Sequence, residues 1–401
     1  MILVEEALKI IADNIMQSAS TGMVHLAEAL GRTLAKDAVS DVDIPPFNRV
    51  TMDGYAVISP DGPGEYEVVE YVPAGAFPQI ALTRGKVSKV MTGAPLPEGA
   101  DGVIQVEKTG GYVDVGQKAK INASAKQWTN VARRGEDVAK GDTVLKSGAV
   151  IGFAQMAALA AVGADPVEVR GLPSVAVLAT GDELVAPSVK PGPGQIRNSN
   201  TYSLCAQVKG LGITPVILGI AKDNEEDLAA KAAKGREHDF LLISGGVSEG
   251  DRDFVPKVLE RAGYKILVHH VRVRPGKPML FAVADGPRYA FGLPGNPVST
   301  AVIFELFIKG ALRRFSGAPA LPAPMIKAVL DKEFKRKNAE REEYVPVSLA
   351  WEGERLAARR ISYHGSGHFH ALSGANGLIK IPIGVSEVAA GSNVDARFFD
   401  L

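Results

Sequence analysis

Three carboxylates recur at comparable places along the chain: Glu183 in "VLATGDELV", Asp223 in "GIAKDNEED" and Asp253 in "LLISGGVSEGDRDF". Each follows a short apolar run. Clustered carboxylates repel one another unless a cation sits among them, and oxygen ligands of this kind suit Mg²⁺ held against substrate phosphates. The last of the three turns also offers Ser244, Gly245, Gly246, Val247 and Ser248. Its glycines let the backbone approach a ligand, and the helix that follows points N–H groups at an anion. No Gly-Lys-Ser/Thr ending follows, so it is not a Walker A loop. Positive charge lies further on, in "HHVRVRPGKPMLF", where Arg272, Arg274 and Lys277 sit close together, with Pro275 and Pro278 limiting the chain's freedom. Clustered Arg and Lys in a stiff turn suit a small dianion. "GLPGNPVS" adds a rigid loop, Pro294 to Pro297, that could wall a nucleotide or pterin.

Each motif has a plainer reading when taken singly. Asp182 and Glu183 suit the start of a helix, and Asp223 suits a helix N-cap. His269 and His270, adjacent in a strand, should face opposite sides and read as structural or surface residues. What favours a shared site is that three successive strand ends carry an acid.

Those ends must be positioned by a sheet. "SVAVLAT", "TPVILGI" and "DFLLIS" are apolar strand candidates separated by helical segments around "SNTYSLCAQVKGLG" and "NEEDLAAKAAKGRE". The alternation over residues 174–316 predicts βαβ units and a parallel sheet covered on both faces, with ligands at the carboxyl ends of its strands. Residues 40–140 predict a β-rich module, with short runs such as "YEVVEYV" and "YVDVG". Helical segments "HLAEALGRTLA" and "GFAQMAALAAVG" flank it, so it reads as an insertion into a helical base. The Pro-rich stretch at 316–324 predicts a boundary before a small C-terminal β domain. "MILVEEALKIIADNI" has helical apolar spacing and acids where a signal peptide would be basic.

With 401 residues the chain should hold two to four domains. Lys+Arg and Asp+Glu both total 45, which argues against broad binding of nucleic acid or anionic membrane. Cys205 is the only cysteine, so no intrachain disulfide or Cys-cluster metal site is possible, in keeping with a reducing cytoplasm.

Taken together, "PPFNRVTMDGYAV", "VMTGAPLPEGAD", "RRGED", "LATGDELV", "GPGQIRNSNTYSL", "SGGVSEGDRDF", "RPGKP" and "GLPGNPVS", in this order over residues 45–302, resemble one family. It is the MoeA molybdopterin molybdenumtransferases, which include the E domain of gephyrin. The resemblance implies a cytoplasmic homodimer with a multidomain α/β plus β architecture. Its three-layer β/α subdomain, similar to molybdopterin adenylyltransferases, would comprise residues 1–20 and 170–318. A small helical or mixed base would take 21–39 and 141–169, an inserted β-rich subdomain 40–140, and a β-barrel-like subdomain 319–401.

The resemblance also implies a reaction: metal from molybdate enters adenylylated molybdopterin, and a divalent-cation-dependent step, here assigned to Mg²⁺, releases AMP. Tungstate has the charge and nearly the shape of molybdate, so it is an equally admissible substrate. A molybdopterin adenylyltransferase is an implied partner. Residue by residue, Glu183, Asp223 and Asp253 match active-site acids and candidate metal ligands. Ser244, Gly245, Gly246 and Ser248 match the part facing the phosphates, and Pro294 and Pro297 match functional loop positions. Arg274, Lys277, Arg341 in "REEYVPV" and Ser366 in "HGSGHF" match molybdate-binding positions; Arg274 stands where better-known members have Lys. Asp53, Thr92 and Asp137 match catalytic positions that reach the partner chain's cleft. Two competing readings are an adenylyltransferase or nucleotide hydrolase using the β/α part alone, and a non-catalytic scaffold like gephyrin.

Overall fold

The structure, a computed structural model, describes residues 1–59, 61–247, 254–319, 325–361, 365 and 367–399. The β-branched and apolar runs of residues 174–293 pair into a six-stranded sheet. Its strands are β1 (Val175–Thr180), β2 (Val216–Ala221), β3 (Phe240–Ser244), β4 (Lys265–His269), β5 (Leu280–Ala284) and β6 (Arg288–Leu293), in the order β2-β1-β3-β6-β5-β4. The first four in that order run parallel, and β5 and β4 are antiparallel additions.

Burial on both faces explains why these strands read as unbroken apolar runs rather than alternating ones. Side chains alternate across a strand. Val175 and Val177 of β1 therefore enter one core with Phe240, Leu242 and Phe291. Ala176 and Leu178 enter the other with Leu241 and Ile243. The first core is covered by the N-terminal helix Val4–Asn14, the helix Asn200–Lys209 and the helical run from Pro297 to Phe315. The second is covered by Glu225–Gly235 and Val255–Arg261. The result is a three-layer sandwich. Each outer strand carries a bulge. On β2, Leu218 is the extra residue between the pairings of Ile217 and Gly219 with β1, and on β4 it is Leu267, between Ile266 and Val268. Gly219 takes φ +92 there, a conformation open to glycine.

The β-rich part is a five-stranded sheet in the order Gly102–Gln105, Gly54–Val57, Lys86–Val90, Gly64–Val72, Lys118–Ile121. Near the C-terminus, strands Glu342–Glu352, Arg355–Arg360, Ile326–Leu330, Asn393–Phe398 and Gly377–Ile381 pair in turn. The last returns to the first, closing a five-stranded barrel around Leu330, Val347 and Ile379.

Three local expectations differ from the structure. "HLAEALGRTLA" is not a helix beyond the single turn Leu26–Glu28. Gly31 at φ +76 ends it, and Leu34 then bonds to Ala149 and bridges to Val169. "YVDVG" is not a strand: the buried Tyr55 hydroxyl donates to the Gly111 carbonyl and accepts from the Val113 amide, holding the segment as a loop. His269 and His270 do not face opposite sides, because β4 ends at His269 and His270 turns to φ +72. Their rings stack with centroids 4.1 Å apart.

Candidate active site

Because β1, β2, β3 and β6 are parallel, their carboxyl ends lie along one edge, and the four loops that leave them converge. They line a cleft of about 830 Å³. Glu183, Asp223, Ser244, Gly245, Gly246, Pro294 and Pro297 all stand on its wall, so one topological fact brings together seven of the residues singled out in the sequence. Ser248 and Asp253, from the same group, lie outside the described residues, as does Ser366. Gly367 and Phe369, which belong to the same motif as Ser366, also line the cleft.

The structure separates the acids from their plainer roles. Helix Glu225–Gly235 is capped by Asn224, whose side chain accepts from the Asp227 amide at 2.9 Å. Asp223 is therefore not spent as a cap. It points back across the sheet edge, where its carboxylate accepts from the Thr180 hydroxyl at 3.0 Å and the Asp182 amide at 3.3 Å. Asp182 returns the contact by accepting from the Asp223 amide at 3.1 Å. Glu183 does not start a helix either. The chain runs from it into a short strand, Leu184–Val185, paired with Ile196–Arg197, and the next helix begins only at Asn200. Glu183 stays exposed on the rim.

The glycine turn holds fewer open donors than two adjacent glycines suggest. The Gly245 N–H extends the sheet by donating to the Leu293 carbonyl at 3.0 Å. It is therefore not available to a phosphate. The Gly246 N–H has no acceptor among the described residues. Both glycines are required by conformation, at φ +102 and +64, and a Cβ on Gly245 would collide with the Thr180 carbonyl. The opposite wall is rigid. The Pro294 carbonyl accepts from the buried Thr300 hydroxyl at 2.6 Å, and Pro297 opens the following helix at its first turn, where a missing N–H costs nothing.

The basic turn is placed by a different pairing. Val273–Arg274 runs parallel to Glu342–Glu343, so Arg274 lies on one strand and Arg341 immediately precedes its neighbour. Of this turn only Pro278 reaches the wall of the cleft; Arg274, Lys277 and Arg341 are not among its lining residues. Arg272 is structural, its guanidinium donating to the Glu340 carbonyl at 2.7 and 3.1 Å. Arg274 lies 3.5 Å from Glu343, a buried carboxylate that also accepts from Arg336 at 3.2 Å. Arg336 is nearly inaccessible and donates in addition to the Val385 and Arg341 carbonyls.

Asp53 and Thr92 are joined directly in the β-rich part, whereas neither they nor Asp137 line this chain's cleft. Asp137 sits on a loop tied to residues 44–48 through its own amide to Ile44 O at 3.0 Å and the Arg134 amide to Asn48 at 3.0 Å. Among the described residues there is no group of three His, Cys, Asp or Glu side chains placed to hold a metal ion.

Two wall residues escaped the sequence reading. Thr180 is the last residue of β1 and orients Asp223. Asn200 opens its helix, yet the local cap is made by Asn198, which accepts from the Thr201 amide at 3.2 Å. The available signal was the pair of asparagines in "RNSN", one more than a helix start needs.

Comparison with known proteins finds relatives over nearly the whole chain. The MoeA N-terminal region (domain I and II) matches residues 2–163, a probable molybdopterin binding domain matches 176–314, and the MoeA C-terminal region (domain IV) matches 327–399. A molybdopterin molybdenumtransferase of Staphylococcus epidermidis is 35% identical, over 93% of this chain and 90% of that protein. One from Staphylococcus aureus is 34% identical, over 98% and 94%. Two crystal structures of molybdopterin biosynthesis MoeA protein from Pyrococcus horikoshii superpose with TM-scores of 0.83 and 0.84. They share 33% and 31% identity and cover 99% and 100% of both chains. The chain therefore belongs to the molybdopterin molybdenumtransferase (MoeA) family of enzymes.

Proposed function

We propose that this enzyme inserts molybdate-derived metal into adenylylated molybdopterin, with hydrolysis of the phosphoanhydride and release of AMP. The observation that carries the reading is the convergence of four parallel strand ends on one cleft, with acids on one wall and a proline-stiffened loop on the other. A cleft of this size accommodates a nucleotide-sized ligand. The Gly246 N–H and the Ser244 hydroxyl face the phosphates. Arg274, Lys277 and Arg341 receive the tetrahedral oxyanion, molybdate or tungstate, which needs charge and hydrogen-bond donors in a fixed arrangement.

Mg²⁺ fits the donor set on the cleft wall. Asp223 accepts two hydrogen bonds and a carboxylate has about four lone-pair sites, so it keeps capacity for a cation, and Glu183 stands exposed nearby on the same wall. Glu183 and Asp223 would hold the ion, with Asp253 as a third carboxylate. When bound, the ion neutralises charge developing on the phosphoanhydride. The residues themselves orient the substrate and bring the two reactants together, and effective concentration supplies much of the rate.

The chain works as a homodimer in this reading. Asp53, Thr92 and Asp137 lie off their own chain's cleft, and a second copy would supply them. The four-part division at 1–20 with 170–318, 21–39 with 141–169, 40–140 and 319–401 is part of the same proposal. So are cytoplasmic location and substrate transfer from a molybdopterin adenylyltransferase. No helix among the described residues is long and apolar enough to cross a membrane. The test is direct: incubate the protein with adenylylated molybdopterin, Mg²⁺ and molybdate or tungstate, then measure AMP and metal-bound cofactor. Absence of both products would refute it.

A further inference from the structure

Asn200 joins the two sides of the cleft. Its amide nitrogen donates to the Ser244 hydroxyl oxygen at 2.8 Å and to the Gly295 carbonyl at 2.8 Å. Ser244 ends β3 and Gly295 lies in the proline loop after β6, so one side chain ties together both walls. Asn200 is 8% exposed and Ser244 2%, and both line the cleft.

The Gly295 carbonyl decides which way the amide faces. A carbonyl has no proton to give, so the NH₂ end of Asn200 must lie toward it. The same nitrogen then supplies the hydrogen to Ser244, whose oxygen is an acceptor in that bond. A hydroxyl has one proton, and that of Ser244 has no acceptor among the described residues. The Asn200 carbonyl oxygen is buried and has no partner among the described residues.

We infer that Asn200 is a positioning residue that turns the Ser244 proton outward and biases this hydroxyl to donate toward a phosphoryl oxygen of the ligand. The inference rests on the proposed reaction and deepens it. A free serine hydroxyl can accept or donate and rotates to suit. With one lone pair of its oxygen taken by Asn200, its proton is directed away from that contact, the polarity an anion needs. The same contact fixes Gly295 relative to the glycine turn, so the two walls keep their spacing when the ligand is absent.

The test is a double-mutant cycle read by calorimetric titration with AMP, and by the KM for adenylylated molybdopterin. Asn200→Asp keeps the shape but replaces the donor with an acceptor that takes the Ser244 proton. Ser244→Ala removes that proton. Each variant should bind AMP about tenfold more weakly, as expected for one hydrogen bond to a charged group. The double variant should bind no more weakly than Asn200→Asp alone, and the KM for molybdate should stay within about twofold. Asn200→Ala serves if the carboxylate unfolds the chain, which thermal melting would reveal. Unchanged AMP affinity in Ser244→Ala, or fully additive losses, would overturn the inference while leaving the reaction standing. No AMP or substrate binding by the wild-type chain would overturn both.

Discussion

One oxygen of Asp53 accepts two hydrogen bonds from a single residue: from the Thr92 amide at 2.7 Å and from the Thr92 hydroxyl at 2.6 Å. The pairing of Gly54 with Val90 makes the meeting unavoidable, since Asp53 precedes one strand and Thr92 follows the other closely. Thr92 holds the Asp53 carboxyl below the usual aspartate range, its hydroxyl contributing first and its amide second, against slight opposition from burial. The nearby Tyr112 phenol is pushed up to about 12, chiefly by burial and then by the Asp53 charge. At neutral pH the pair is thus an ionised carboxylate beside a protonated phenol.

Thr92→Val keeps the amide donor and removes the hydroxyl. The Asp53 midpoint should rise toward the ordinary aspartate value in a carboxyl NMR titration. A depressed folded-state pKa contributes stability above the unfolded pKa, and that contribution is lost as pH falls through the folded value. The wild-type gain is therefore present at neutral pH and lost in acid, and the variant loses it at higher pH. The effect on stability is small because both side chains are exposed. An unmoved midpoint would contradict the assignment of Thr92 as the cause.

Asp223→Asn removes the charge and keeps an acceptor for the Asp182 amide, while its NH₂ can donate to the Thr180 hydroxyl, which reverses its role. The fold should survive, with a thermal midpoint near wild type. AMP release should fall by roughly 10²-fold or more, the scale seen when one electrostatic element of an active site is removed. A wild-type rate would remove Asp223 from the mechanism.

Complementation tests the shared cleft. Asp53→Ala and Asp223→Ala chains should each be inactive alone. Mixed and allowed to exchange, half of the dimers become heterodimers, and in each of these one cleft meets an intact β-rich partner. Activity should return to about a quarter of wild type. No recovery after verified exchange would place each site within one chain.

Glu343→Ala removes the carboxylate between Arg336 and Arg274. Arg336 would then be buried without its counter-charge, at a cost of roughly 3–5 kcal/mol in urea unfolding. Glu343→Gln keeps a hydrogen-bond acceptor and should lose less. If the two variants unfold together with wild type, Glu343 is dispensable to the fold.

The strand ends, the acids and the stiff loop were legible because the parallel sheet writes them as apolar runs ended by polar turns. Asn200 was not, because its importance depends on Ser244 and Gly295, which are 44 and 95 residues away in sequence. That the Gly245 N–H is consumed was hidden for a similar reason: it continues a ladder with β6, a pairing that no local pattern reveals. Arg274 was legible as a charge, but its partner Glu343 became visible only once Val273–Arg274 paired with the barrel strand. Local chemistry was readable in the chain; the long-range hydrogen bonds that consume or expose it were not.

Leu218 and Leu267 sit at opposite borders of the central sheet, each as the extra residue of a bulge. An open sheet ends in two rows of amides and carbonyls that can recruit a strand from another molecule. A bulge breaks the regular spacing of that row and increases its twist, so an incoming strand finds no continuous register. Val216 and Ile217 leave apolar surface on one of these borders, at 44% and 49% exposure, which sharpens the hazard there. The two displaced leucines thus oppose edge-to-edge growth, keeping a sheet that must remain open at its ligand edge from extending sideways into ribbons.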